Sequence, residues 1–144
     1  MRPTDLALAQ LLGIRPVAAG AAHLLELPFT PAMQNHLGTM HAAAQFALAE
    51  AASAECLLRH FGALDGRVHA VVRGVEVQYR RPATGDILAY GAPDTATQAG
   101  LLAELAARGR SLAVILIDLK DRNGTLTFHG KFDWFISSAP PTPP

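Results

Sequence analysis

The run from Met40 to Phe61 limits most strongly what this chain can fold into. It holds no proline or glycine and carries eight alanines, at Ala42, Ala43, Ala44, Ala47, Ala49, Ala51, Ala52 and Ala54. Alanine has the highest intrinsic helix propensity. Thr39 is placed to cap the start and Gly62 to stop the run, so one long helix is predicted. A surface helix would show one polar face. Here small side chains occur all round, which predicts close approach of another surface on every side. A chain of 144 residues is expected to be a single domain, with this helix at its centre.

The flanks read mainly as strands. Thr4 can cap a short first helix, with Leu8, Leu11 and Leu12 on one face and Gly13 as its stop. Ile14 to Ala18 and His23 to Phe29 form a hairpin around Ala19-Gly20-Ala21-Ala22. After the central helix, Val68 to Tyr79 places Val71, Arg73, Val75, Val77 and Tyr79 on one face. Asp86 to Ala92 is a short strand, and Thr97 to Arg108 a helix with Leu101, Leu102 and Leu105 inward. Leu112 to Leu119 pairs with Leu126 to Ile136 through the Asn123-Gly124 turn. Four prolines between Ser137 and Pro144 predict a disordered tail. The domain is therefore expected to span 1–136, with the tail over 137–144. Antiparallel strands with one buried helix indicate the α+β class, as a curved antiparallel sheet wrapped around a long central helix.

Composition removes several function classes. Formal net charge is zero, so no general basic field exists to hold nucleic acid. No run is apolar and long enough for a membrane span or a signal peptide. Cys56 is the one cysteine, which rules out an internal disulfide and fits a cytoplasmic setting. His36 and His41 lack the spacing and companions of a metal site, so no metal or other cofactor is expected. Half the residues are hydrophobic, which suggests that part of the surface is buried against another subunit.

The segment Asn35, Gly38, His41-Ala42-Ala43, Leu48-Ala49-Glu50, followed by Tyr79-Arg80-Arg81-Pro82-Ala83, resembles the hotdog-fold thioesterase superfamily, in particular its phenylacetyl-CoA thioesterase-like branch. The resemblance covers roughly the whole folded chain. It implies the hotdog fold and hydrolysis of an acyl-CoA thioester to a free acid and CoA. It also implies a homodimer, or a dimer of dimers, with substrate at the subunit interface. Carried over, Ala42 supplies the N–H that holds the thioester carbonyl. Glu50 of the partner chain attacks or activates water, and Asn35 positions substrate or water. Ala42 and Ala43 stand where the family has paired glycines. Ala54 stands where some relatives carry a hydroxyl, with Ser53 adjacent.

The residues themselves point the same way. A helix start offers unpaired N–H groups and partial positive charge, which suits an oxyanion. A carboxylate in the apolar stretch around Glu50 is expected to have a raised pKa, as a general base needs. Gly38, His41 and Ala43 are expected at the substrate, with His41 more suited to a structural hydrogen bond. Arg80, Arg81 and Arg73 are candidates for CoA phosphates. Cys56, with no histidine partner evident, is expected to be a core residue. Phe128, Phe132, Trp134 and Phe135 are expected in the core or an interface. Ala42 and Glu50 lie about 12 Å apart along one helix, so acting together requires two chains. Two other readings remain open: a non-catalytic acyl-CoA-binding protein, and an enoyl-CoA hydratase or dehydratase using His41 and Glu50.

Overall fold

The computed structural model describes residues 1–138. Six strands form one antiparallel sheet: β1 (Arg15–Pro16), β2 (Leu25–Leu27), β3 (His69–Tyr79), β4 (Ile87–Pro93), β5 (Arg110–Asp121) and β6 (Leu126–Ser137). Their order across the sheet is β1-β2-β4-β5-β6-β3. Three helices accompany it: α1 (Ala7–Leu12), α2 (Ala42–His60) and α3 (Thr95–Arg108). The chain must pass from β2, near one edge, to β3 at the other. Four strand spacings are about 19 Å, and nineteen helical residues rise about 28 Å. The long helix α2 is therefore the crossover, lying against the sheet that curls around it. This is the hotdog arrangement.

Small residues let α2 sit close. Ala49 and Ala52 are fully buried where α2 packs on β4 and β5. The opposite wall of the core is β6, whose inward residues Phe128, Phe132, Trp134 and Ile136 keep the predicted period of two. Gly130 sits between the two phenylalanines, and a Cβ there would lie 2.8 Å from each ring. A second contact holds α2 from outside the sheet. Glu55 is buried and accepts from Arg2 Nη1 at 2.8 Å and Arg59 Nε at 3.0 Å. Arg59 Nη2 also donates to the Leu24 carbonyl at 3.0 Å. One carboxylate thus ties the N-terminal segment, α2 and the β1–β2 hairpin together.

The structure corrects several expectations. The helix begins at Ala42 rather than Met40, because Met40 bridges to Gln34 and donates to the Ala83 carbonyl. Its cap is His41, whose Nδ1 accepts from Ala43 N–H at 3.0 Å, and not Thr39. Thr4 caps nothing, since α1 starts after Leu6 without a side-chain cap. Leu8 and Leu11 stay largely exposed, because so short a helix buries only Ala9. Leu102 is likewise exposed while Leu101 and Leu105 are buried. The α2 helix is covered on two sides only. Ala43 is exposed, and Ala47, Glu50, Ala54 and Leu58 are half-buried along a third face that nothing in the chain covers fully. In β3 the register slips between Val72 and Gly74. This bulge turns Val72, Val75 and Val77 to the core and leaves Val71 exposed, so Val71 does not share a face with Val75. Finally, Ser137 closes β6 and Ser138 N–H donates to the Gly109 carbonyl. These two residues extend the domain beyond 136, and the rest of the expected tail lies outside the described residues.

Overpacking a tight core typically costs ~1–3 kcal/mol. Gly130→Ala should destabilise the protein by about that amount, read as a lower urea midpoint with an unchanged slope. An unchanged midpoint would mean that the two rings move apart freely.

Candidate active site at the central helix

The loop before α2 is built by Asn35. Its Oδ1 accepts from Leu37 N–H at 2.9 Å and Thr39 N–H at 3.1 Å. Its Nδ2 donates to Thr39 Oγ1 at 2.9 Å, and its backbone pairs with Thr39 and Gly38. Gly38 has φ +74°, the left-handed conformation that closes this turn. Most of the Asn35 side chain is spent on the loop, leaving one amide hydrogen.

At the helix start, His41 Nδ1 accepts a hydrogen bond from the Ala43 N–H, which leaves Nε2 as the donor nitrogen of the ring. The Ala43 N–H is thereby used. The Ala42 N–H has no hydrogen-bond partner among the described residues and lies exposed. The Ala42 carbonyl accepts from the Tyr79 hydroxyl at 3.1 Å, which pins the end of β3 to the helix start. Arg80 and Arg81 follow directly, exposed and without ion pairs among the described residues. Two unpaired cations and a free helix N–H thus share one end of the molecule. Arg73 is elsewhere engaged, its guanidinium 4.4 Å from the Phe135 ring centroid.

Two turns further on, Glu50 is half-buried and its carboxylate has no hydrogen bond or ion pair among the described residues. Burial pushes its pKa up from the ordinary carboxylate value. The Glu50 turn is held from behind. Ser53 Oγ donates to the Glu50 carbonyl at 2.7 Å and accepts from Trp134 Nε1 at 3.1 Å. The Ser53 hydroxyl is therefore buried in this relay rather than turned toward Glu50's carboxylate. Sequence reasoning missed the relay; a serine three residues after the acid was its signal. Phe128 and Phe132 are core residues, Trp134 is both core and cavity wall, and Phe135 lies on the other face of the sheet against Arg73.

Glu50 opens on a cavity of about 670 Å³. Its walls come from the uncovered face of α2, the start of β3, the end of β6 and the N-terminal segment. Cys56 lies behind, buried, with its Sγ 3.5 Å from His60 Nδ1. A histidine partner thus does exist one helical turn away, contrary to expectation. Burial nevertheless pushes the thiol up to about 12, with Arg59 opposing the shift and Glu55 adding to it, so it stays protonated and poorly nucleophilic. Among the described residues no group of His, Cys, Asp or Glu is placed to hold a metal ion, and no helix is long and apolar enough to cross a membrane.

A carboxylate whose pKa is raised on folding makes the native state bind its proton more tightly than the unfolded chain does. Its charged form then costs stability as pH rises through the folded value. Glu50→Gln should accordingly melt higher than the wild type at pH 7, with the gap closing toward about pH 4. Thermal melts at the two pH values check this. An equal or lower melting temperature for the variant at pH 7 would contradict the desolvated carboxylate.

Comparison with known proteins places the chain. Residues 12–136 match the family model described as a domain of unknown function, DUF4442. No curated protein matches. Solved structures that are similar include PA5026 of Pseudomonas aeruginosa, a protein of unknown function described as a probable thioesterase. It is 26% identical, with a TM-score of 0.79 over 94% of this chain and 89% of that one. The thioesterase HI1161 of Haemophilus influenzae is 18% identical, with a TM-score of 0.72 over 94% and 85%. BH2602 of Bacillus halodurans, solved with CoA, is 19% identical, with a TM-score of 0.70 over 90% and 74%. The chain belongs to the DUF4442 family, and it shares the hotdog fold of these structures.

Proposed function

We propose that this protein is an acyl-CoA thioesterase in which Glu50 of one chain and the start of α2 of a second chain act on the same thioester. The observation that carries the reading is the Glu50 carboxylate: half-buried, unpartnered, with a raised pKa, at the rim of an apolar cavity. Structural carboxylates in this chain look different, since Glu55 is paired with Arg2 and Arg59. A buried carboxylate without a partner costs stability, and catalysis is a reason to keep one. The similarity to proteins described as thioesterases and to one solved with CoA supports the substrate class.

The chemistry follows from what each group can do. The thioester carbonyl accepts from the Ala42 N–H, strengthened by the helix dipole. The His41 Nε2–H is a second donor at the same helix start. Glu50 takes a proton from water as the oxygen attacks the carbonyl carbon. The C–S bond then breaks, and the proton passes to the leaving thiolate, giving free acid and CoA. Direct attack by Glu50 through a mixed anhydride, later hydrolysed by water, uses the same groups. Asn35 shapes the loop that delivers Ala42 and has one amide hydrogen left for substrate. Arg80 and Arg81 lie at the Ala42 end, where they suit the CoA phosphates.

Two chains are required because eight residues separate Ala42 from Glu50, about 12 Å along α2. The exposed start of α2 at Ala42 and Ala43 carries only small side chains, so an antiparallel copy can come close to it. The outer edge of β3, eleven residues long, has no strand partner among the described residues, and an edge of that length invites pairing. A homodimer, or a dimer of dimers, satisfies both surfaces. A second reading, binding of acyl-CoA without turnover, draws support from the Ala43 N–H being used by His41, which leaves one backbone donor at the helix start.

Thiol release from an acyl-CoA panel is the test. Wild type should hydrolyse at least one member. Glu50→Ala and Glu50→Gln should lose at least about a hundredfold in kcat while keeping the wild-type oligomeric state by light scattering. Retained activity in either variant removes Glu50 from the reaction. Binding of acyl-CoA by an inert wild type would establish the binding reading instead.

A further inference from the structure

The mechanism uses the rim of the cavity and leaves its interior unassigned. From Glu50 the cavity runs along α2 past Ala54 to Leu57 and Leu58, an advance of about 12 Å. Its far side is the N-terminal segment, which presents Leu6, Leu8 and Ile14. That segment is not loosely laid on. Pro3 is buried, Arg2 is paired with the buried Glu55, and Ile14 N–H donates to the Ala9 carbonyl.

Glu50 at one end is the unpartnered polar group of the lining. Elsewhere Trp134 Nε1 donates to Ser53, Arg2 Nη1 is turned to Glu55, Asp65 faces the Met1 ammonium at 3.8 Å, and the other lining side chains are apolar. A hydroxyl or carboxylate on the acyl group would exchange water for these mainly apolar walls, or compete with Glu55 and Asp65 for their partners, which costs binding free energy. A plain hydrocarbon chain gains from the same walls.

We propose that this cavity selects unsubstituted aliphatic acyl chains, with the N-terminal segment as its outer wall and Leu8 as a specificity-determining residue. Naming the occupant as an acyl chain rests on the thioesterase reading; the apolar preference of the cavity does not. Leu8 is 62% exposed, so its replacement leaves the core intact.

Two measurements separate the claims. The first is thiol release from butanoyl-CoA, decanoyl-CoA and decanedioyl-CoA, which matches decanoyl-CoA in length but ends in a carboxylate. Wild type should favour decanoyl-CoA over decanedioyl-CoA by at least about tenfold in kcat/KM. Leu8→Arg should narrow or reverse that ratio and leave butanoyl-CoA unchanged; Leu6→Arg serves as a second variant of the same wall. Equal rates for the two long substrates, or an equal loss on all three in both variants, overturn the proposal. The second is calorimetric binding of the thioether S-decyl-CoA and its ω-carboxyl counterpart, neither of which can be hydrolysed. If no thioester turns over, the thioesterase reading fails by itself. A tenfold preference for S-decyl-CoA that Leu8→Arg abolishes then still upholds the cavity assignment, and equal or absent binding overturns it.

Discussion

The seat of α2 in the curl of the sheet is the contact on which everything else depends. Ala49 and Ala52 have no exposed surface, and their lack of bulk lets the helix backbone come close to β4 and β5. A larger side chain at either position would lift the helix and part the layers. Holding α2 close has a geometric consequence. The side facing the sheet is taken and the N-terminal segment closes another, so whatever stands on the third side faces the cavity rather than packed side chains. Glu50 stands there. Its environment is decided by the small residues on the opposite side of its own helix as much as by its immediate neighbours.

The distribution of charge follows from the same arrangement. The chain carries no net charge, yet its polar groups are sorted along α2. Near the start lie an unpaired N–H and the unpaired Arg80 and Arg81, an end suited to anions. In the middle is a carboxylate denied solvent and partners. Toward the end, Glu55 is neutralised by two arginines. The two carboxylates, five residues apart on one helix, have opposite circumstances because one faces the segment bearing Arg2 and the other faces a cavity.

Much of this was legible in the sequence, and the misses have specific causes. The alanine run gave away the central helix because propensity and the absence of breakers agree. The strict alternation from Phe128 to Ile136 gave away β6 and its inward face. The bulge in β3 was not legible, because the slip at Arg73 is defined by pairing with Asp133 and Trp134, and such pairing leaves no local trace. The cap at His41 was hidden because histidine is not among the usual capping residues. The Asp94 cap of α3, which accepts from Thr97 N–H at 2.8 Å, starts that helix two residues before the Thr97 expected from its apolar period. Of the site, Glu50 could be singled out from its apolar neighbours. Of its relay, the Ser53 hydroxyl three residues on left a local trace, but the Trp134 end, 81 residues further along, did not.

The Arg2–Glu55–Arg59 cluster bears on how such a molecule changes over time. It anchors the N-terminal segment through Arg2, which also lines the cavity beside Leu6 and Leu8. Leu6 and Leu8, the exposed apolar residues of that segment on the cavity, take no part in the anchor. Substitutions at Leu6 and Leu8 can therefore remodel the chamber while the helix bearing Glu50, the loop shaped by Asn35 and the sheet remain as they are. The fold keeps its reactive parts on one stretch of chain and one wall of its discriminating surface on another, so that wall is free to diverge at its own rate.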